Sequence, residues 1–177
     1  MEHEVHSHDA VDYVFLSDDG TFPNNSRLPL LKYNAAVQLE DPDHAANFEH
    51  IFHANRWVGS WRNGVYAVHH YHSSAHEVLG VYGGTAVVQF GGEQGIAVEV
   101  KAGDVVVIPA GVAHKRLRSS MDFRVVGAYP EGQSWDMCYG REGERPETDR
   151  NISRVPVPAT DPVYGGSGPL REIWTDS

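Results

Sequence analysis

Between Gly64 and Pro130 the chain is a succession of short runs rich in β-branched and aromatic residues: "VYAVHHYH", "EVLGVYGGTAVVQFGG", "GIAVEVKAGDVVVIPAG" and "FRVVGAYP". Gly83-Gly84, Gly91-Gly92, Ala102-Gly103 and Pro109-Ala110-Gly111 break these runs with turn formers. Helical periodicity is absent. Short strands punctuated in this way predict a mostly β architecture, an antiparallel sandwich or a small barrel.

The flanks add little that is regular. "VDYVFL" and "RLPLLKY" read as strands on either side of the turn cluster "SDDGTFPNN". One helix is expected from about Asp41 to Asn55, with Asp41 as N-cap and Pro42 at the first helical position. Ala45, Phe48, Ile51 and Phe52 would form its apolar face, and Trp57 and Trp61 would help seat it on the core. Residues 1 to 9, with His3, His6 and His8, read as a frayed polar tail. Beyond Glu131 the chain turns polar and rich in turn formers, too long for an ordinary loop. It is expected to wrap the barrel as an extended arm or to cover a site as a lid, with Tyr164 and Trp174 as docking points. A length of 177 residues suits one domain over 1–177.

Fourteen basic against twenty-four acidic residues give a formal charge of −10. Nucleic acid and anionic membranes require concentrated positive charge, so both are disfavoured as partners. A small molecule fits better. The single cysteine, Cys138, cannot close an internal disulfide, and no basic neighbour favours its thiolate. "MEHEVHSHDA" lacks the pattern of a secretory signal, and no apolar run approaches the ~20 residues that span a bilayer. Cytoplasmic is the expected location.

Chemistry concentrates in "HHYHSSAHE", His69 to Glu77, which holds four of the eleven histidines. On a strand, His70 and His72 share a face with Cα atoms roughly 6.5–7 Å apart, while His69 and Tyr71 face the other way. Two imidazoles so placed can put nitrogens ~2.0–2.1 Å from one metal ion. Simple alternation nominates His76 as the next ligand. A turn or bulge at Ser73-Ser74-Ala75 would reset the parity and bring Glu77 round instead. The local residues leave both open.

The spacing carries further information. Gly64, five residues, His70-x-His72, four residues, Glu77, six residues, Gly84 resembles the first motif of the cupin superfamily. Gly103, five residues, Pro109-x-Gly111, two residues, His114 resembles the second. "HHYHSSAHEVLGVYGG", "GGEQG", "AGDVVVIPAGVAHK" and "VVGAYPEG" are similar to the bacterial YjlB-like cupins. The resemblance implies a jelly-roll β-barrel, or double-stranded β-helix, holding one metal ion through His70, His72, Glu77 and His114. It also implies that Glu77, and not His76, is the ligand. Arg118 stands where the family's second motif often ends in asparagine.

Three nitrogens and one oxygen select no single ion; zinc, iron, manganese and nickel all accept them. His76, Tyr66 and Tyr82 are the acid–base candidates beside the ligands, with His69 behind them. Trp57, Trp61, Tyr129 and Trp135 are candidate aromatic walls, and Arg141 and Arg145 are weaker candidates for an anion anchor. The leading expectation is a metal-dependent enzyme, oxygenase or isomerase-like (a lyase in the same class), on a small oxygen-rich substrate. Its rivals are a non-catalytic metal barrel that binds a small ligand, and a homodimer stabilised by a closed metal site.

Overall fold

The computed structural model describes residues 3–8 and 10–175. Its elements are β1 (His6–His8), β2 (Val11–Leu16), β3 (Asn25–Tyr33), α1 (His44–Ala54), β4 (Trp57–Asn63), β5 (Glu77–Gly83), β6 (Thr85–Phe90), β7 (Ile96–Lys101), β8 (Val105–Ile108), β9 (His114–Ser119), β10 (Arg124–Pro130), α2 (Glu147–Arg154) and α3 (Pro169–Ile173). Seven strands form one antiparallel sheet in the order β1-β2-β3-β8-β5-β10-β4, and three form a second in the order β7-β6-β9. The fold is the mostly β jelly roll expected.

The central strands of the large sheet are buried on both faces. Its inner face (Val14, Leu16, Leu30, Leu79, Val81, Val106, Ile108) packs against Ala86, Val88 and Phe90 of the small sheet. Its outer face (Leu31, Tyr33, Val78, Val105, Val107, Val126) is covered by Phe48 and Phe52 of α1, by Trp57, and by Leu170 and Trp174 of the C-terminal segment. Double coverage explains why "VVVI" in β8 is an unbroken apolar run instead of an alternating one. The small sheet is covered on one face only, and β6 alternates accordingly.

Two glycines admit large rings to this sheet. A Cβ on Gly80 would lie 2.3 Å from the ring of Phe48, and one on Gly127 would lie 2.2 Å from the ring of Trp61.

Several expectations are corrected. Residues 6–8 are not frayed: β1 pairs with β2 and the His6 ring stacks on Tyr13. Met1, Glu2 and Asp9 of the expected tail lie outside the described residues. The helix begins later, capped by Asp43, whose carboxylate accepts from the Ala46 N–H at 3.2 Å, so Asp41 and Pro42 precede it. "VYAVHHYH" is not a regular strand. It runs beside β9, joined by the Arg116 N–H to the Tyr66 carbonyl and by reciprocal bonds between His70 and His114. Tyr71 pairs in the same way with Cys138, which bolts the C-terminal segment onto this stretch. No helix among the described residues is long and apolar enough to cross a membrane.

Candidate metal centre

Glu77 opens β5 and His114 opens β9, so both side chains lie at the same end of the sandwich. The chain bends at Ser73-Ser74, and this bend decides the parity of everything after it. Past the bend, Glu77, Leu79 and Val81 face inward, while His76, Val78, Gly80 and Tyr82 face outward toward α1 and Trp174.

His72, Glu77 and His114 each offer one ligand atom, and these atoms lie within 4.8 Å of one another. His72 Nε2 is 2.9 Å from one Glu77 oxygen, and His114 Nε2 is 3.7 Å from the other. All three side chains are buried. His70, also buried, lines the same cavity with its ring centroid 4.1 Å from that of His114, outside the three-residue group.

Each of the three histidines spends its Nδ1 on a backbone carbonyl. His70 donates to Val68 at 2.8 Å, His114 to Val112 at 3.1 Å, and His72 to Asp136. A carbonyl only accepts, so each Nδ1 carries the hydrogen and each Nε2 is the metal-facing atom. Burial lowers the pKa of His114 well below the usual range, reinforced by His70 and His72; burial likewise lowers that of His70. For His72 burial pulls the same way, but the Glu77 carboxylate and Asp136 together outweigh it and raise the pKa.

Above these groups opens a cavity of about 270 Å³, walled by Val65 and Leu79 and rimmed by Trp61, Tyr66, Tyr129, Trp135 and Met137. The Tyr129 hydroxyl accepts from the Trp61 indole N–H at 2.8 Å. Burial, and then the Glu77 carboxylate, raises its pKa far above the ordinary range, so the phenol stays protonated.

Of the residues expected to do acid–base work, Tyr66 alone lies at this cavity, its ring 5.3 Å from that of His70. His76 and Tyr82 point away, because the Ser73-Ser74 bend puts them on the outer face. His76 is fully buried against Trp174, and its Nδ1 accepts from the Ala110 N–H at 2.9 Å. Tyr82 packs against the core under α1. His69 pairs with Glu93 on the other side of the chain. Arg145 is occupied by Asp18 and Asp149, and Arg141 lies over the Tyr139 ring. Arg118 is exposed on β9. Burial, helped by Asp136, pushes the Cys138 thiol up to about 12, leaving it inert.

Asp136 is a residue that the sequence motifs do not single out. Its carboxylate accepts from the Ser73 N–H at 2.6 Å, from the Ser73 hydroxyl and from the Ser74 N–H at 3.3 Å, while its carbonyl orients His72. No local signal marks it, because it stands 64 residues from His72.

Residues 60–124 match the Cupin_2 family, described as a cupin domain. The uncharacterized protein YjlB of Bacillus subtilis (strain 168) is 48% identical over 160 residues, covering 90% of this chain and 94% of that protein. Similar solved structures are distant. The dTDP-6-deoxy-D-glucose-3,5-epimerase RmlC of Legionella pneumophila is 14% identical with a TM-score of 0.35, covering 73% of this chain and 72% of that one. HEPD of Streptomyces albus, solved with 2-hydroxyethylphosphonate and Fe(II), is 13% identical with a TM-score of 0.30 and covers 89% of this chain. The chain spans 28% of HEPD and 22% of procruciferin from Brassica napus, which is 20% identical over 63% of this chain with a TM-score of 0.36. Identity at 48% along nine-tenths of the length, with a family match over the strands that carry Glu77 and His114, places this chain in the cupin superfamily among the YjlB-like proteins.

Proposed function

We propose that this protein is a metal-dependent enzyme that holds one divalent transition ion through His70, His72, Glu77 and His114. Its substrate is a small oxygen-bearing molecule admitted through the rimmed cavity. The observation that carries the reading is three buried imidazoles, each tethered through Nδ1 with Nε2 left for a ligand bond, beside a buried carboxylate on the floor of an open cavity. A closed structural site would have no such access. A bound transition ion would supply Lewis-acid or redox chemistry to a substrate oxygen. The chain's own residues bind and orient. Val65 and Leu79 give a dry wall, and Tyr66 and Tyr129 present hydroxyl groups at the cavity.

Metal content by mass spectrometry, on protein purified without chelator or added metal, tests the reading when paired with dioxygen uptake over small carbonyl and phenolic compounds. His72→Ala should strip most of the metal, and His69→Ala should leave it in place. Equal losses from the two variants would refute the site.

A further inference from the structure

The ten positions from Lys115 to Arg124 hold four of the fourteen basic residues and, in Asp122, one of the twenty-four acidic ones. In a chain of net charge −10 this is a local reversal of sign. The fold gathers part of it into a second hollow of about 560 Å³, whose lining includes Asn63, Tyr66, Arg116, Ser119, Met121 and Arg124. The hollow adjoins the metal cavity along Asn63 to Tyr66 but takes in none of the four proposed ligands. Among the described residues, no acidic side chain lines it.

How its arginines are held is the second observation. Arg62 and Arg145 each meet two carboxylates. Arg116, half-buried, is tethered by neutral acceptors instead. Its Nε donates to the Val65 carbonyl and its Nη1 to the Ser119 hydroxyl, both at 3.1 Å. Arg124 donates from Nη1 to the Phe123 carbonyl at 2.7 Å. Asp122, the nearest acid in sequence, lies against Gly84, with one oxygen 2.6 Å from where a Cβ on that glycine would stand.

The neighbouring polar groups are left as donors. The Ser119 oxygen accepts from Arg116, which leaves its hydrogen to give. The Asn63 oxygen accepts from the Gly64 N–H at 2.8 Å, which leaves its amide hydrogens. A half-buried cation with no countercharge, set among donors, is complementary to a ligand that only accepts.

We infer that this hollow is a binding site for a phosphoryl dianion, separate from the metal centre. Two guanidinium groups match its two charges, and the tethers on Nε and Nη1 of Arg116 leave Nη2 for a phosphate oxygen. Met121, 98% exposed, and the ring of Tyr66 offer apolar surface to an organic group carrying the phosphate.

The test uses the full chain, first as purified and then after chelator treatment, because a bound divalent ion would attract the same anion. Phenyl phosphate, inorganic phosphate and benzoate are titrated by calorimetry. Phenyl phosphate should bind equally well in both preparations, and about tenfold or more tightly than benzoate, which is planar and singly charged. If inorganic phosphate binds more weakly than phenyl phosphate, the site takes an organic phosphate; equal binding makes free phosphate the ligand. Arg116→Gln and Arg124→Gln should each weaken phenyl phosphate about tenfold. Arg124 is exposed, so its variant serves even if the loss of the Arg116 tether to Val65 disturbs folding. Arg118→Gln removes the same charge from β9 outside the hollow and should change nothing. Binding lost on chelation would put the phosphate on the metal ion and overturn the site. Equal losses from Arg118→Gln and Arg124→Gln, benzoate binding as tightly as phenyl phosphate, or no binding of either phosphate would overturn it too. None of these outcomes bears on the metal centre, which is judged by metal content.

Discussion

At the residue scale, His76 shows how one position of parity changes a side chain's role. It sits one residue before Glu77, yet Glu77 reaches the cavity and His76 is sealed beneath Trp174. Burial pushes the His76 pKa from 6.5 down to about 3, so it stays neutral in the fold. Between those two values the unfolded chain binds a proton that the folded chain does not. The stability contributed by neutral His76 is therefore fully present above pH 6.5 and lost as pH falls toward 3. His76→Gln keeps an acceptor for the Ala110 N–H and has no such titration. Denaturant midpoints measured from pH 7 to pH 4 should fall less steeply in this variant than in the wild type; parallel slopes would assign the acid sensitivity elsewhere.

At the scale of elements, the segment from Ser134 to Cys138 ties the C-terminal region to the histidine stretch through Asp136 and the Tyr71–Cys138 pairing. Asp136→Ala leaves the Ser73 donors without their acceptor, at a cost of ~1–3 kcal/mol. It also loosens the carbonyl that orients His72, so metal affinity should fall about tenfold or more. Denaturation and competition against a metal indicator would check the two effects. A stability loss with unchanged affinity would reduce the strap to a mechanical tie. Strand β10 makes a related point through Gly127. Gly127→Ala would place a methyl group inside the ring of Trp61, moving that ring and breaking its bond to Tyr129. The expected readout is altered tryptophan fluorescence with metal still bound.

For the whole molecule, the large sheet separates two jobs. Its inner face and one end carry the cavity, and its outer face carries α1 and the docked C-terminal segment. Trp174, fully packed and donating to the Pro29 carbonyl at 2.9 Å, belongs to the second job. Trp174→Ala should cost ~3–5 kcal/mol in thermal or denaturant unfolding while the folded fraction retains its metal. Loss of metal from a folded variant would mean that the two faces are coupled.

Much of this was legible along the chain. The punctuated β-rich runs predicted the sheets, and the two glycine-histidine motifs marked the four residues that line the floor of the cavity. These signals are local: strand propensity, turn residues and alternation act over ten residues or so, and the motif spacing records them. The choice between His76 and Glu77 was open on alternation alone, because the bend at Ser73-Ser74 depends on Asp136, more than sixty residues away. The same holds for the Tyr129–Trp61 pair and for the stacking of Trp135, which come from strand register and from where the C-terminal segment docks. Residue types, their spacing and the family resemblance nominated the side chains that could hold a metal. Only the packing of distant strands decided which way each one faces, which nitrogen carries its proton and what surrounds the opening, because long-range contacts set these and no short window contains both partners.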